Sequence, residues 1–312
     1  MNYYIAIDIG GTQLRAAVFP EDSSIPVIIR KIPTQQEGEI PLNRLYSLID
    51  SVWLEKQPVV SIGVAVPGPV DPYSGIVMET PNIRGWTDLP LQKYLEDRFH
   101  VPVALGNDAN LAALAEWRYG VGRGHRHLVY VTVSTGIGGG VIADNRLLLG
   151  QRGLAAELGH VTVDPDGPLC SCGKRGHLEA LASGPAMARW AAEERNKGRP
   201  SCLPSGLALT AKQVAEAASA GDPLALEAFQ CAGTALGRTL ADYLHIFNPS
   251  ILVIGGGVSQ SGSLILDPIR AALCQYVISP HYLDSFILAT ASLGDDVVLI
   301  GALALAQTLP EP

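Results

Sequence analysis

The amino-acid sequence predicts an α/β protein of two related domains, and three observations carry that expectation. An apolar run from Tyr3 to Ile7 passes through Asp8-Ile-Gly-Gly-Thr12 into a second apolar run, Leu14 to Phe19, which reads as strand, glycine turn, strand. The same unit returns where Leu128 to Val133 enters Ser134-Thr-Gly-Ile-Gly-Gly-Gly140 and leaves through Val141 to Ala143. Two copies of one unit in the two halves of a 312-residue chain, long for a single core, argue for a duplicated architecture.

Composition narrows the function. With 47% hydrophobic and 17% charged residues the chain is that of a well-buried globular protein. A formal net charge of -8 disfavours generic nucleic-acid or membrane-surface binding and directs attention to small ligands. Met1 is followed at once by an apolar strand pattern, with no basic region, cleavage site or long apolar span, so neither signal peptide nor membrane helix is expected. Five cysteines, two of them only two residues apart, fit a secreted disulfide framework poorly. The expected setting is the cytoplasm.

Each element then has its own reading. In the first turn Gly10 and Gly11 let backbone N–H groups curl around an anion, Thr12 adds a hydroxyl donor, and Asp8 at the rim could hold Mg2+ through water. The same residues also make an ordinary tight turn. In the second, Ser134, Thr135, Gly136 and Gly138 repeat the arrangement; facing the first across a cleft, it would clamp a polyphosphate. Neither turn fits the P-loop or the dinucleotide fingerprint. Val59 to Val66 is a central strand ending at Pro67-Gly68-Pro-Val-Asp71. That loop and Pro81 to Trp86 either wall a pocket or merely connect. A helix is expected over Leu91 to Phe99. Pro102 to Leu105 is a strand delivering Gly106-Asn-Asp-Ala-Asn110 to a helix that runs to about Tyr119. Asp108 there could accept the proton of an alcohol attacking phosphorus, with Asn107 orienting that alcohol. Equally, one of the pair caps the helix; cap and base can coexist on different residues.

Further on, Ala182 to Pro185 starts a helix reaching about Asn196, and Thr210 with Gln213 has capping-box spacing. Asp222 to about Asn248 is a long helix in which Gly233 and Gly237 suggest close backbone packing. Ser250 to Ile254 is a strand leading to Gly255-Gly-Gly-Val258, a turn suited to adenine or ribose at Gly256 and Gly257, or a plain β-to-α connection. A final helix, Val298 to about Leu309, is rich in Ala and Leu and is expected to pack back on the N-terminal domain. The domains are therefore drawn as residues 1–118 with 298–312, and residues 119–297.

The segment from Glu157 to Glu179 is the most distinctive. His160, Cys170, Cys172 and His177 lie between two carboxylates and supply the nitrogen and sulfur donors of a closed tetrahedral zinc site, structural rather than catalytic. Pro165, Gly167, Pro168, Gly173 and Gly176 prevent regular structure between them, so a metal would replace a missing core. Unligated core cysteines in a surface excursion are the competing reading. With one ring nitrogen on the metal, His160 would keep the other for a substrate hydroxyl.

These residues resemble the ROK family of repressors, open reading frames and sugar kinases, along the whole chain. The most specific likeness is Ala156-Glu-Leu-Gly-His-Val161, followed by C-x-C-G-x-x-G at Cys170 to Gly176 and by Glu179. The resemblance implies an actin-like, ribonuclease-H-like ATPase fold closing on ATP and a hexose, with Asp108 as general base. It implies sugar contacts from Gly68, Asn107, Asp108, Glu157, His160 and Glu179. Nucleotide contacts would come from Asp8, Gly10, Gly11, Thr12, Ser134 to Gly140, Gly256 and Gly257, and zinc ligands from His160, Cys170 and Cys172. Three departures stand out: His177 replaces the usual third cysteine, Gln13 the usual lysine, and Ser134 a common glycine. The family's repressors carry an added N-terminal winged helix, which is not expected here. The implied activity is ATP- and Mg2+-dependent phosphorylation of the 6-hydroxyl of glucose by a homodimer or homotetramer. Fructose, mannose, N-acetylglucosamine or N-acetylmannosamine as acceptor, polyphosphate as donor, and a noncatalytic sugar sensor are the alternatives.

Overall fold

The computed structural model describes residues 1–80, 83, 85–204 and 208–310. Of the segment read as a pocket wall, Pro81, Asn82 and Arg84 lie outside the described residues. The chain forms two compact units, Met1–Gly124 with Arg146–Ala156 and Ser292–Pro312, and His125–Asn145 with Glu157–Ala291. The sequence-drawn divisions after 118 and before 298 differ from these by a few residues, and residues 146–156, drawn with the second domain, belong instead to the first unit. Buried Glu116 accounts for the difference at those two divisions: its carboxylate accepts the N–H groups of Val121 at 3.1 Å, Ser292 at 2.8 Å and Leu293 at 2.9 Å, keeping both connecting stretches with the first unit.

In the first unit β1 (Tyr3–Ile9), β2 (Gln13–Pro20) and β3 (Ile28–Pro33) form an antiparallel meander. After α1 (Pro41–Val52), strand β4 (Val59–Val66) pairs parallel with β1. A small antiparallel sheet of β5 (Val70–Asp71), β6 (Ile76–Glu79) and β7 (Thr87–Leu89) and helix α2 (Leu91–Phe99) follow. Strand β8 (Val103–Asn107) then joins β4 in parallel and runs directly into α3 (Asp108–Arg118). The sheet order is β3-β2-β1-β4-β8.

Alternation along β1 explains why it is buried throughout. Ile5, Ile7 and Ile9 face a core that includes α1 and α2, while Tyr4 and Ala6 face one built from α3 and the C-terminal helix. On that second face Gly63 has no room for a side chain, because a Cβ would lie 1.9 Å from the Ala302 carbonyl oxygen.

In the second unit β9 (Leu128–Val133) and β10 (Ile137–Ala143) form the second hairpin. The short strand β11 (Arg146–Leu147) lies in the segment assigned to the first unit. Helices α4 (Leu178–Ala182), α5 (Gly184–Asn196), α6 (Ala211–Ser219) and α7 (Pro223–Phe247) precede β12 (Ile251–Gly255), which pairs parallel with β9. After α8 (Ser263–Tyr276), β13 (Ile287–Thr290) pairs parallel with β12. The run β10-β9-β12-β13 repeats β2-β1-β4-β8 in order and sense. This is the duplicated, actin-like arrangement expected from the sequence. The two glycines of α7 are where α8 approaches: a Cβ on Gly237 would meet the Ile269 carbonyl at 2.5 Å. The chain ends in α9 (Val297–Ala306) of the first unit, buried against β1 and β4.

Candidate active site

The first unit's carboxylates sit where strand ends and helix starts place them. β8 ends at Asn107, whose side-chain oxygen accepts the N–H groups of Ala109 at 3.0 Å and Asn110 at 3.1 Å and so caps α3. Its amide nitrogen donates to the Gly68 carbonyl at 3.2 Å, fixing the loop after β4 against the start of the helix. Asp108 is the first helical residue, half-buried, with Oδ1 accepting the N–H of Ala109 at 2.8 Å. A carboxylate at this end of a helix is stabilised by the unpaired N–H groups and the dipole. Cap and candidate base are therefore different residues.

Asp8 closes β1 beside the first glycine turn, where the Gly10 N–H donates to the Gln13 carbonyl at 2.8 Å. Directly across the hairpin stands Arg15. Its Nε lies 2.9 Å and its Nη2 2.8 Å from Asp8 Oδ2, while Nη1 reaches Asp296 at 3.1 Å and Nη2 the Asp295 carbonyl at 2.9 Å. Burial pushes the Asp8 carboxyl up, and the Arg15 guanidinium only partly offsets this. Arg15 was not among the sequence candidates, although counting the hairpin register back from the turn puts it opposite Asp8.

In the second unit the second glycine turn and the Cys/His loop meet at Glu179. The Ser134 N–H donates to the Gly136 carbonyl at 2.9 Å, and the Ser134 carbonyl accepts the Gly184 N–H at 2.9 Å. Glu179, in the first turn of α4, places Oε2 3.0 Å from the Ile137 N–H and Oε1 2.7 Å from the Ser171 hydroxyl, with the Cys170 thiol at 3.4 Å. Gly136 is required by this approach: a Cβ there would lie 2.6 Å from Glu179 Oε2. Burial pushes the Glu179 carboxyl up, but the Ser171 hydroxyl and the Ile137 amide outweigh it and hold the group below its ordinary range. Glu157 is exposed, just before the 3-10 turn Leu158–His160.

The donor atoms of His160, Cys170, Cys172 and His177 all lie within 4.8 Å of one another. The two His Nδ1 atoms are 3.3 Å apart, Cys172 Sγ is 3.3 Å from His177 Nδ1, and Cys170 Sγ is 3.7 Å from His160 Nδ1. Tetrahedral coordination at about 2.0 Å to nitrogen and about 2.3 Å to sulfur requires edges of roughly 3.3 to 3.7 Å, which these three distances meet, so the four residues could hold a zinc-sized ion. With His160 presenting Nδ1 to the cluster, its Nε2 remains for another partner.

The third turn differs. Gly256, with φ of 81°, passes so close to β9 that a Cβ would lie 2.4 Å from the Val133 carbonyl, whereas a Cβ on Gly257 would meet nothing within 4 Å. A flat group could approach the backbone at Gly257.

A duplicated sheet of this order, with a glycine hairpin opening each copy and carboxylates at the strand ends, defines a two-domain protein of the actin-like ATPase class. Within it, the chain belongs to the ROK family, whose profile matches residues 4–309. The glucokinase of Thermotoga maritima is 37% identical over 97% of this chain and 96% of its own length. A solved structure of a ROK family glucokinase from Streptomyces griseus, in complex with glucose and AMPPNP, is 36% identical, with a TM-score of 0.81 over 98% of this chain and 100% of that one. The xylose repressor of Bacillus subtilis is 30% identical over 96% of this chain but only 76% of its own length. Among the described residues no helix is long and apolar enough to cross a membrane.

Proposed function

We propose that this protein is an ATP-dependent sugar kinase that phosphorylates the 6-hydroxyl of glucose, with Asp108 as general base. The observation that carries the chemistry is the division of labour at α3, where Asn107 caps the helix and Asp108 stands beside it at the positive end. Near-full-length likeness to glucokinases supports the substrates.

As the sugar oxygen attacks the γ-phosphorus, a new O–P bond forms, the bond to the β,γ-bridging oxygen breaks, and ADP leaves. The hydroxyl proton passes to the Asp108 carboxylate. The Gly10 to Thr12 and Ser134 to Gly138 turns would hold the phosphates, with Gly256 and Gly257 beside the adenosine. Asp8 would orient a hydrated Mg2+, which when bound neutralises phosphate charge. Gly68, Asn107, Glu157, His160 and Glu179 would read the sugar hydroxyls, since buried acceptors left unpaired by the wrong epimer impose a penalty. His160, Cys170, Cys172 and His177 would hold Zn2+, a structural ion that orders the loop between Glu157 and Glu179.

Asp108→Asn preserves size and loses the base. Its kcat should fall about 10³-fold while glucose binding by calorimetry stays within a few fold. An Asn variant with near-wild-type turnover on glucose removes Asp108 from this role. The likeness to a xylose repressor supports a second reading, a noncatalytic sugar sensor. Hexose binding without ADP release across a panel of hexoses and N-acetylhexosamines selects it.

A further inference from the structure

We propose that Ser171 is a positioning residue for the sugar-reading carboxylate of Glu179, an inference that rests on the kinase reading above. Three donors surround that carboxylate. The Ile137 N–H holds Oε2 at 3.0 Å, while the Ser171 hydroxyl at 2.7 Å and the Cys170 thiol at 3.4 Å share Oε1. Two of the three are fixed by the chain itself: Ile137 opens β10, and Ser171 lies between two residues of the metal-sized quartet.

The two donors on Oε1 are unequal. The thiol at 3.4 Å is a long, weak donor, whereas the hydroxyl at 2.7 Å is at full hydrogen-bond contact. Held at Oε2 by a backbone amide with only the thiol opposite, the carboxylate could rotate about that amide. Held at both oxygens, its plane is fixed and its remaining lone pairs face a substrate in one orientation. Seryl and carboxylate oxygens at 2.7 Å make a short, charge-assisted bond, of the strength suited to this task. The metal loop would therefore order the sugar site through a specific hydroxyl as well as through loop rigidity.

The test uses metal-loaded wild type, Ser171→Ala, Ser171→Thr and Glu179→Gln. Hexose Kd is measured by calorimetry, kinetic constants by ADP release, and metal content by elemental analysis. For Ser171→Ala, hexose Kd and KM should rise about five- to tenfold, with kcat and nucleotide KM within twofold and metal stoichiometry unchanged. The threonine variant, which restores a hydroxyl, should recover most of the loss. In a crystal structure of metal-loaded Ser171→Ala, Glu179 should leave its wild-type orientation whether or not sugar is present. Wild-type hexose affinity in Ser171→Ala, or a Glu179 that stays in place without the hydroxyl, overturns the inference. So does a Kd change that tracks lost metal. Glu179→Gln separates the two levels: hexose binding unaffected there shows that Glu179 does not read sugar, whereas its loss there with none in Ser171→Ala rejects only the role of Ser171.

Discussion

The two glycine hairpins share a topology but hold opposite chemistry. In the first, β1 contributes a carboxylate, Asp8, which takes a cation from its hairpin partner and through it is tied to the start of α9. In the second, the turn contributes a bare amide, Ile137 N–H, which takes a carboxylate from α4. The consequences for the two acids also differ. Asp8, with a guanidinium on one oxygen, stays above its ordinary range because burial dominates; Glu179, with mainly neutral donors on both oxygens and less burial, lies below it. Number and placement of hydrogen bonds, weighed against desolvation, matter more here than the formal charge of the partner. Duplication has preserved the ladder of the sheet while the side chains around each turn have diverged.

The largest effect that could break this contrast is removal of the proposed metal. The second hairpin's carboxylate lies among residues of a loop with little regular structure, in which Thr162 pairs with His177 and Leu169 with Arg175 only as isolated bridges. Chelation, or Cys170→Ala, should weaken hexose binding by more than 100-fold and open residues 157–179 to limited proteolysis, while fragments from the first unit stay protected. Apo protein that binds hexose as tightly as the metal-loaded form dissociates the loop from the sugar site.

Arg15→Met probes the other hairpin. It leaves Asp8 partly buried with no cation, which should cost about 2 kcal/mol of stability at neutral pH, less than for a fully buried pair because both side chains keep some exposure. The sign with pH follows from the direction of the Asp8 shift. Without Arg15 its folded-state value rises further above the unfolded one, so the folded variant binds a proton that the unfolded chain releases. Stability lost relative to wild type should therefore grow as pH climbs from the raised wild-type value through the still higher value of the variant, and be recovered below both. Denaturant titrations at several pH values measure this; a pH-independent deficit points to lost packing instead.

What the sequence revealed divides along the same physical line. Helices with a side-chain N-cap announced themselves: Asn107 for α3, Thr210 with its capping box for α6, Asp222 for α7. Helices α1 and α8 have no side-chain cap; α1 is marked only by Pro41 at its first position, and α8 contains Pro268, which argues locally against a helix. Both hairpins were legible because alternation and glycine are local signals. Candidate site residues were legible at strand ends and within short motifs for the same reason. Their partners were not. Arg15 reaches Asp296 across 281 positions of sequence, and Glu116 takes the amides of Ser292 and Leu293 from 176 and 177 positions away. Such pairs exist only once α3 and α9 lie side by side.

The smallest effect separates the jobs of two glycines that look alike in sequence. A Cβ at Gly10 would lie 2.8 Å from the Gln13 carbonyl oxygen, a backbone atom that cannot yield without opening the hairpin. A Cβ at Gly136 would lie 2.6 Å from Glu179 Oε2, the end of a flexible side chain that can swing aside. Gly10→Ala should thus lower thermal stability by several degrees. Gly136→Ala should leave stability nearly unchanged and raise hexose KM about tenfold, or about 1.4 kcal/mol, by displacing the carboxylate from the Ile137 amide. Steady-state kinetics in both substrates decide the point. If Gly136→Ala instead raises only nucleotide KM and spares the hexose, the second turn serves the phosphates alone, Glu179 does not read the sugar, and the chemical contrast between the hairpins dissolves.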